Sequence, residues 1–124
     1  MINDFYIKFH EGIDYFKFGM GKEEVHSIIN DEPIVYDDIE IYEPLFTFKY
    51  KDNKVIMIMV TKNDDINVII ENINIFDLDY EEVLVFIKNI DNDVVIEEDI
   101  IKSDKLGIEL LTNNKNIIAI KAYK

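Results

Sequence analysis

Two histidines, two serines and several adjacent carboxylate pairs are the side chains of this 124-residue sequence from which catalysis could be built. His10 stands beside Glu11 at the end of a predicted strand, and His26 lies among helical positions. Neither has a second ligand at H-E-x-x-H or comparable spacing, so both read as surface or boundary histidines. Ser27 and Ser103 lie outside any G-x-S-x-G turn that would expose a nucleophile. The glycines complete neither phosphate-cradling pattern, and Gly19-Met20-Gly21 reads as a strand-to-helix turn. Asp37-Asp38, Asp64-Asp65 and Glu97-Glu98 lack the alternating spacing of a calcium loop, because adjacent side chains usually diverge. No catalytic residue, metal site or cofactor is expected.

The elements that would carry these residues follow from hydrophobic period. Phe5-Tyr6-Ile7-Lys8-Phe9 alternates as a strand, and residues 13–18 read as a second strand stopped by Gly19 and Gly21. Val25, Ile28 and Ile29 recur at helical spacing behind Glu23 and Glu24, which predicts a short helix over 22–30 before Pro33. Residues 31–44 read as an extended acidic connection. Residues 45–50 and 55–61 flank Lys51-Asp52-Asn53-Lys54 and predict a hairpin whose second arm, apolar on both faces, suits a central strand. Another strand is expected within 67–75. Asp79, with Glu82 three residues later, predicts a capped helix from Tyr80 to residue 90. A short strand at 94–96 and a terminal hairpin over 107–112 and 117–123 close the chain. This order predicts one α+β domain over residues 1–124, an antiparallel or mixed β-sheet with two main helices packed on one side.

Composition narrows the possible partners. The formal charge is −13, from 26 acidic residues against 13 basic ones, and every basic residue is a lysine. Such a field repels phosphate, which disfavours nucleic acid and anionic membranes, and steers in a basic protein. With 48% hydrophobic residues the chain can close a core, and with no cysteine it suits a reducing cytoplasm. The opening Met1-Ile2-Asn3-Asp4 lacks a secretory pattern, and the longest apolar run, 55–60, is far short of the ~20 residues of a membrane helix.

Residues 36–43 interleave tyrosines with carboxylates, a composition that can anchor on and pair with a basic protein. Tyr36, Asp37, Asp38, Glu40, Tyr42 and Glu43 are therefore the first candidate contacts, followed by Asp64, Asp65, Glu97 and Glu98. Reversing Asp37, Asp38 and Glu40 to lysine is expected to weaken binding while leaving thermal stability nearly unchanged. Phe18-Gly19-Met20-Gly21-Lys22-Glu23-Glu24-Val25 resembles the F-G-M-S-x-E-E-V entry of several groups of small bacterial α/β domains, with Gly21 in place of the capping Ser or Thr. Leu106-Gly107-Ile108-Glu109-Leu110, with residues 117–123, is similar to their closing hairpin. Immunity proteins encoded beside bacterial toxins are among such domains, and the resemblance implies a cytoplasmic binding protein that inactivates one cognate toxin. The rival readings are an enzyme or small-molecule binder with a pocket near His10 or His26, and a structural subunit of a larger assembly. The sequence leaves oligomeric state open.

Overall fold

The computed structural model describes residues 3–42 and 46–124. Its strands are β1 (Asn3–Lys8), β2 (Gly12–Ile13), β3 (Phe16–Lys17), β4 (Ile34–Tyr36), β5 (Ile39–Tyr42), β6 (Phe46–Lys51), β7 (Lys54–Thr61), β8 (Ile66–Ile70), β9 (Ile73–Asn74), β10 (Val95–Glu97), β11 (Ile100–Ser103), β12 (Ile108–Asn113) and β13 (Asn116–Tyr123). The helices are α1 (Lys22–Ile28) and α2 (Tyr80–Ile90), and a 3₁₀ turn at Ile75–Asp77 precedes α2. The fold is thus a sheet-dominated mixture of strands with two helices.

There are two sheets among the described residues. The larger is antiparallel throughout, in the order β10-β11-β12-β13-β7-β6-β5-β4. The smaller has the order β3-β2-β1-β8-β9 and is mixed, because β1 and β8 run parallel. Local turn chemistry builds the hairpins. Asp52-Asn53, Glu71-Asn72 and Asn114-Lys115 all take positive φ, the left-handed geometry of two-residue turns that match strand twist.

Residues directly opposite one another in a sheet share a face. One such row runs Glu40, Phe48, Ile58, Ala122, Ile108, Ser103, and the next runs Tyr42, Phe46, Val60, Ile120, Leu110, Ile101. All twelve are buried, so these rows form the apolar floor of the core. Phe16 stacks edge-on to Phe48 at 4.9 Å between ring centroids, and Phe5 to Phe46 at 5.2 Å, which ties the small sheet to that floor. Val25 of α1 and Val83 and Ile87 of α2 complete the same core.

Several expectations from sequence are revised here. Residues 31–44 do not form only a connection, since β4 and β5 pair within them. The strand expected at 13–18 divides into β2 and β3, which pair with each other, and α1 ends at Ile28. The hairpin strand begins at Phe46, and Leu45, expected within it, lies outside the described residues. The box at Asp79 forms as expected: Glu82 N–H donates to Asp79 Oδ1 at 2.8 Å, and Asp79 N–H donates to Glu82 Oε1 at 3.1 Å. Asp79→Ala should lower stability by about 1 kcal/mol. Phe48→Ala, which empties the aromatic cluster, should lower it by about 3–5 kcal/mol. Urea unfolding measures both, and equal losses would contradict this ranking.

Candidate functional site

The β4–β5 hairpin carries the first group of candidate contacts and divides them sharply. Tyr36, Asp37 and Asp38 form its exposed tip, with Asp37 at φ 49°. Glu40 and Tyr42, four and three per cent exposed, point into the core instead. Their reading as partner contacts is therefore corrected: the pleat that turns Ile39 and Ile41 one way turns Glu40 and Tyr42 onto the apolar floor. Glu43 lies outside the described residues.

The buried Glu40 carboxylate is held by a helix. His26 of α1 directs Nε2 at both oxygens, 2.9 Å from Oε1 and 3.0 Å from Oε2, and because a carboxylate only accepts, Nε2 carries the donated proton. The Tyr42 hydroxyl donates to Oε1 at 3.4 Å. Burying a carboxylate is costly unless it is paired and hydrogen-bonded, so this contact decides whether β5 can place Glu40 inward. Burial, reinforced by the Glu40 charge and its hydrogen bond, pushes the Tyr42 hydroxyl up to about 12. Burial and the same carboxylate push Tyr50 upward as well. The Tyr50 hydroxyl is buried without a hydrogen-bond partner among the described residues, and Lys22 Nζ sits 5.0 Å from the centre of its ring.

A second buried polar group stands at the far end of the same row. Ser103 Oγ donates to Asp91 Oδ2 at 2.7 Å and accepts from the Leu106 backbone N–H at 3.1 Å. That hydroxyl, together with the Asp93 backbone N–H, holds the Asp91 carboxyl below the usual carboxylate range. Asp91 directly follows α2. Between the neighbouring strands β12 and β13 Tyr123 donates to Glu109 Oε2 at 2.6 Å, and burial followed by that carboxylate raises the Tyr123 hydroxyl.

His10, the other histidine, donates from Nε2 to the Lys105 carbonyl at 2.7 Å. Its ring lies over Gly107, where a Cβ would stand 2.8 Å from Nδ1, so only glycine, at φ +67°, leaves room. His10 borders a 270 Å³ depression with Lys102, Ser103, Asp104 and Tyr123.

The remaining candidates lie elsewhere. Antiparallel order places the tip of β4–β5 at one end of the large sheet. The β10–β11 turn bearing Glu97 and Glu98 lies at the opposite end, as does the stretch after β7 bearing Asp64 and Asp65. All four are exposed, and they do not join Tyr36, Asp37 and Asp38 in one surface. Sequence reasoning missed the His26–Glu40 contact, since a lone helical histidine and one glutamate among seven neighbouring polar and apolar residues carry no local sign of pairing. Among the described residues no group of three or more histidine, cysteine or carboxylate side chains is placed to hold a metal, and no helix is long and apolar enough to cross a membrane. Compared with protein-family models, with curated proteins and with solved structures, the chain matches none.

Two outcomes follow from the buried cluster. Tyr50→Phe removes an unpaired hydroxyl and should leave stability unchanged or raise it by up to about 1 kcal/mol in urea unfolding; a loss above that would mean the hydroxyl is satisfied. An unfolded tyrosine ionises near its ordinary value of 10.0, while folded Tyr42 holds its proton to about 12. Between those values the unfolded chain binds fewer protons, so the contribution is fully present below pH 10.0 and is lost as pH rises toward about 12. Tyr50 and Tyr123, shifted in the same direction, add to the fall. Unfolding midpoints that stay level across this window, with tyrosinate absorbance followed in parallel, would contradict it.

Proposed function

We propose that this domain binds a basic protein through the tip and free edge of the β4–β5 hairpin, and that the partner is a toxin domain neutralised by the contact in the bacterial cytoplasm. The observation that carries the reading is the exposure of three consecutive apolar residues on an edge strand: Ile34 at 47%, Val35 at 58% and Tyr36 at 66%. An edge strand offers unpaired backbone groups to an incoming chain, and its alternating side chains supply selectivity. Tyr36 is the rigid anchor, and Asp37 and Asp38 face the partner's cations.

The setting suits that task. The hairpin is held next to its tip by Glu40 against His26, so a partner meets a tip already in place rather than one it must order. In this reading both helices lie over one face of the large sheet. It is supported by His26 of α1 and Asp91 after α2 reaching Glu40 and Ser103, the two ends of a single cross-strand row. The resemblance of residues 18–25 and 106–123 to immunity domains supplies the class of partner, and the charge of −13 agrees with a basic one.

The test is affinity capture from the native cell with the wild-type chain and with a Tyr36→Ser, Asp37→Lys, Asp38→Lys variant. All three residues are exposed, so the variant should unfold at the wild-type temperature. A basic protein retained only by wild type, whose toxicity is relieved by co-expressing wild type but not the variant, is the expected result. Equal retention by the variant, or a retained protein without toxicity, would overturn the proposal. Glu40→Lys is a separate case and should destabilise the fold, because it places a lysine against His26 in the core.

A further inference from the structure

A second surface, sharing no element with the hairpin, has the chemistry of a peptide site. Between β9 and α2 lies a shallow groove of 420 Å³ lined by Ile73, Leu78, Val85 and Phe86, with Glu81 and Glu82 on its rim. Leu78 and Phe86 rest on the core below it, while Val85 is 61% exposed and Ile73 38%. Single exposed apolar residues are ordinary, but two exposed ones joined by two half-buried ones around one groove with a charged rim are the pattern of a contact surface.

Charge identifies the occupant. From residue 63 to residue 87 the chain contains no lysine, arginine or histidine, but it contains Asp64, Asp65, Glu71, Asp77, Asp79, Glu81 and Glu82. The last four precede or open α2, beside the groove. Their positions are fixed in part by the capping box, in which Asp79 and Glu82 bond to each other's backbone. Lys88 lies in the last turn of α2, Lys105 donates to the Ile90 carbonyl at its end, and Lys115 Nζ lies 5.9 Å from the Tyr80 ring centre. None of the three lines the groove.

We infer that this groove docks a basic amphipathic segment of a partner protein, with an apolar side chain against Val85 and Phe86 and flanking lysines or arginines facing Glu81 and Glu82. The apolar floor supplies affinity and the carboxylate rim selects the sign of charge. The site stands on its own residues and does not require the hairpin to be a binding surface.

The test uses the full chain, labelled with ¹⁵N, and a synthetic helical peptide of leucine and lysine with leucines at i, i+3, i+4 and i+7. Backbone shifts should move at Ile73, Leu78, Val85 and Phe86 and stay still at residues 34–38. Val85→Ser, an exposed change that leaves the net charge unaltered, should weaken binding about tenfold. Glu81→Lys should weaken it and reduce its dependence on salt, while Asp37→Lys with Asp38→Lys should bind as wild type. Shifts spread over every acidic surface, or equal affinity for Val85→Ser, would show attraction by net charge alone and overturn the inference. Equal binding of a leucine–glutamate peptide would overturn it too.

Discussion

One buried carboxylate sets the terms for the hairpin half of the molecule. Glu40 occupies a position on the sheet floor that its neighbours Phe48 and Ile58 fill with apolar side chains, and among the described residues His26 and Tyr42 donate to it. With His26 in place, β5 lies in register against β6, and β4 is carried beyond it as the sheet edge. Without that donor, keeping Glu40 inside would cost several kcal/mol, and the strand would gain by turning it to water. The contact also anchors α1, a seven-residue helix with one fully buried side chain, Val25, and a glycine cap lacking a side-chain oxygen. A helix so short has little stability of its own and depends on what it touches.

The opposite end of the same row repeats the device with different chemistry. There Ser103 meets Asp91, and the hydroxyl is satisfied on both sides by the carboxylate and the Leu106 backbone. An apolar floor with one polar residue at each end fixes where His26 and Asp91 can meet it, because sliding either one leaves a buried polar group unpaired. Apolar area alone is non-directional and cannot specify this. The surplus of negative charge is left to the surface, where it is divided among the hairpin tip, the far turns and the α2 region rather than gathered in one field.

The sequence was most legible where structure is local. The α2 cap, the turn at Asp52-Asn53 and the terminal hairpin each rest on a few adjacent residues, and each forms where its signal lies. What could not be read depends on partners far along the chain. The parallel pairing of Phe5 with Val68 joins strands separated in the chain by four strands of the large sheet, β4 to β7, so a second sheet was invisible to periodicity. Residues 31–44 looked like a connection because β4 is exposed on both faces and β5 alternates buried and half-buried residues, with a carboxylate among the buried. The acidic tip at Asp37-Asp38 was visible in composition. That Glu40, two residues on, belongs to the interior was not, because its reason is His26, brought near by the fold alone.

The claim that this pair, a buried carboxylate and a half-exposed histidine, holds the exposed hairpin in place is tested most directly by amide hydrogen exchange on the wild-type chain and on His26→Ala. The account predicts faster exchange in the variant across α1 and residues 34–42, with β12 and β13 unchanged. Unaltered protection of residues 34–42, or uniform loosening of the whole chain, would contradict it.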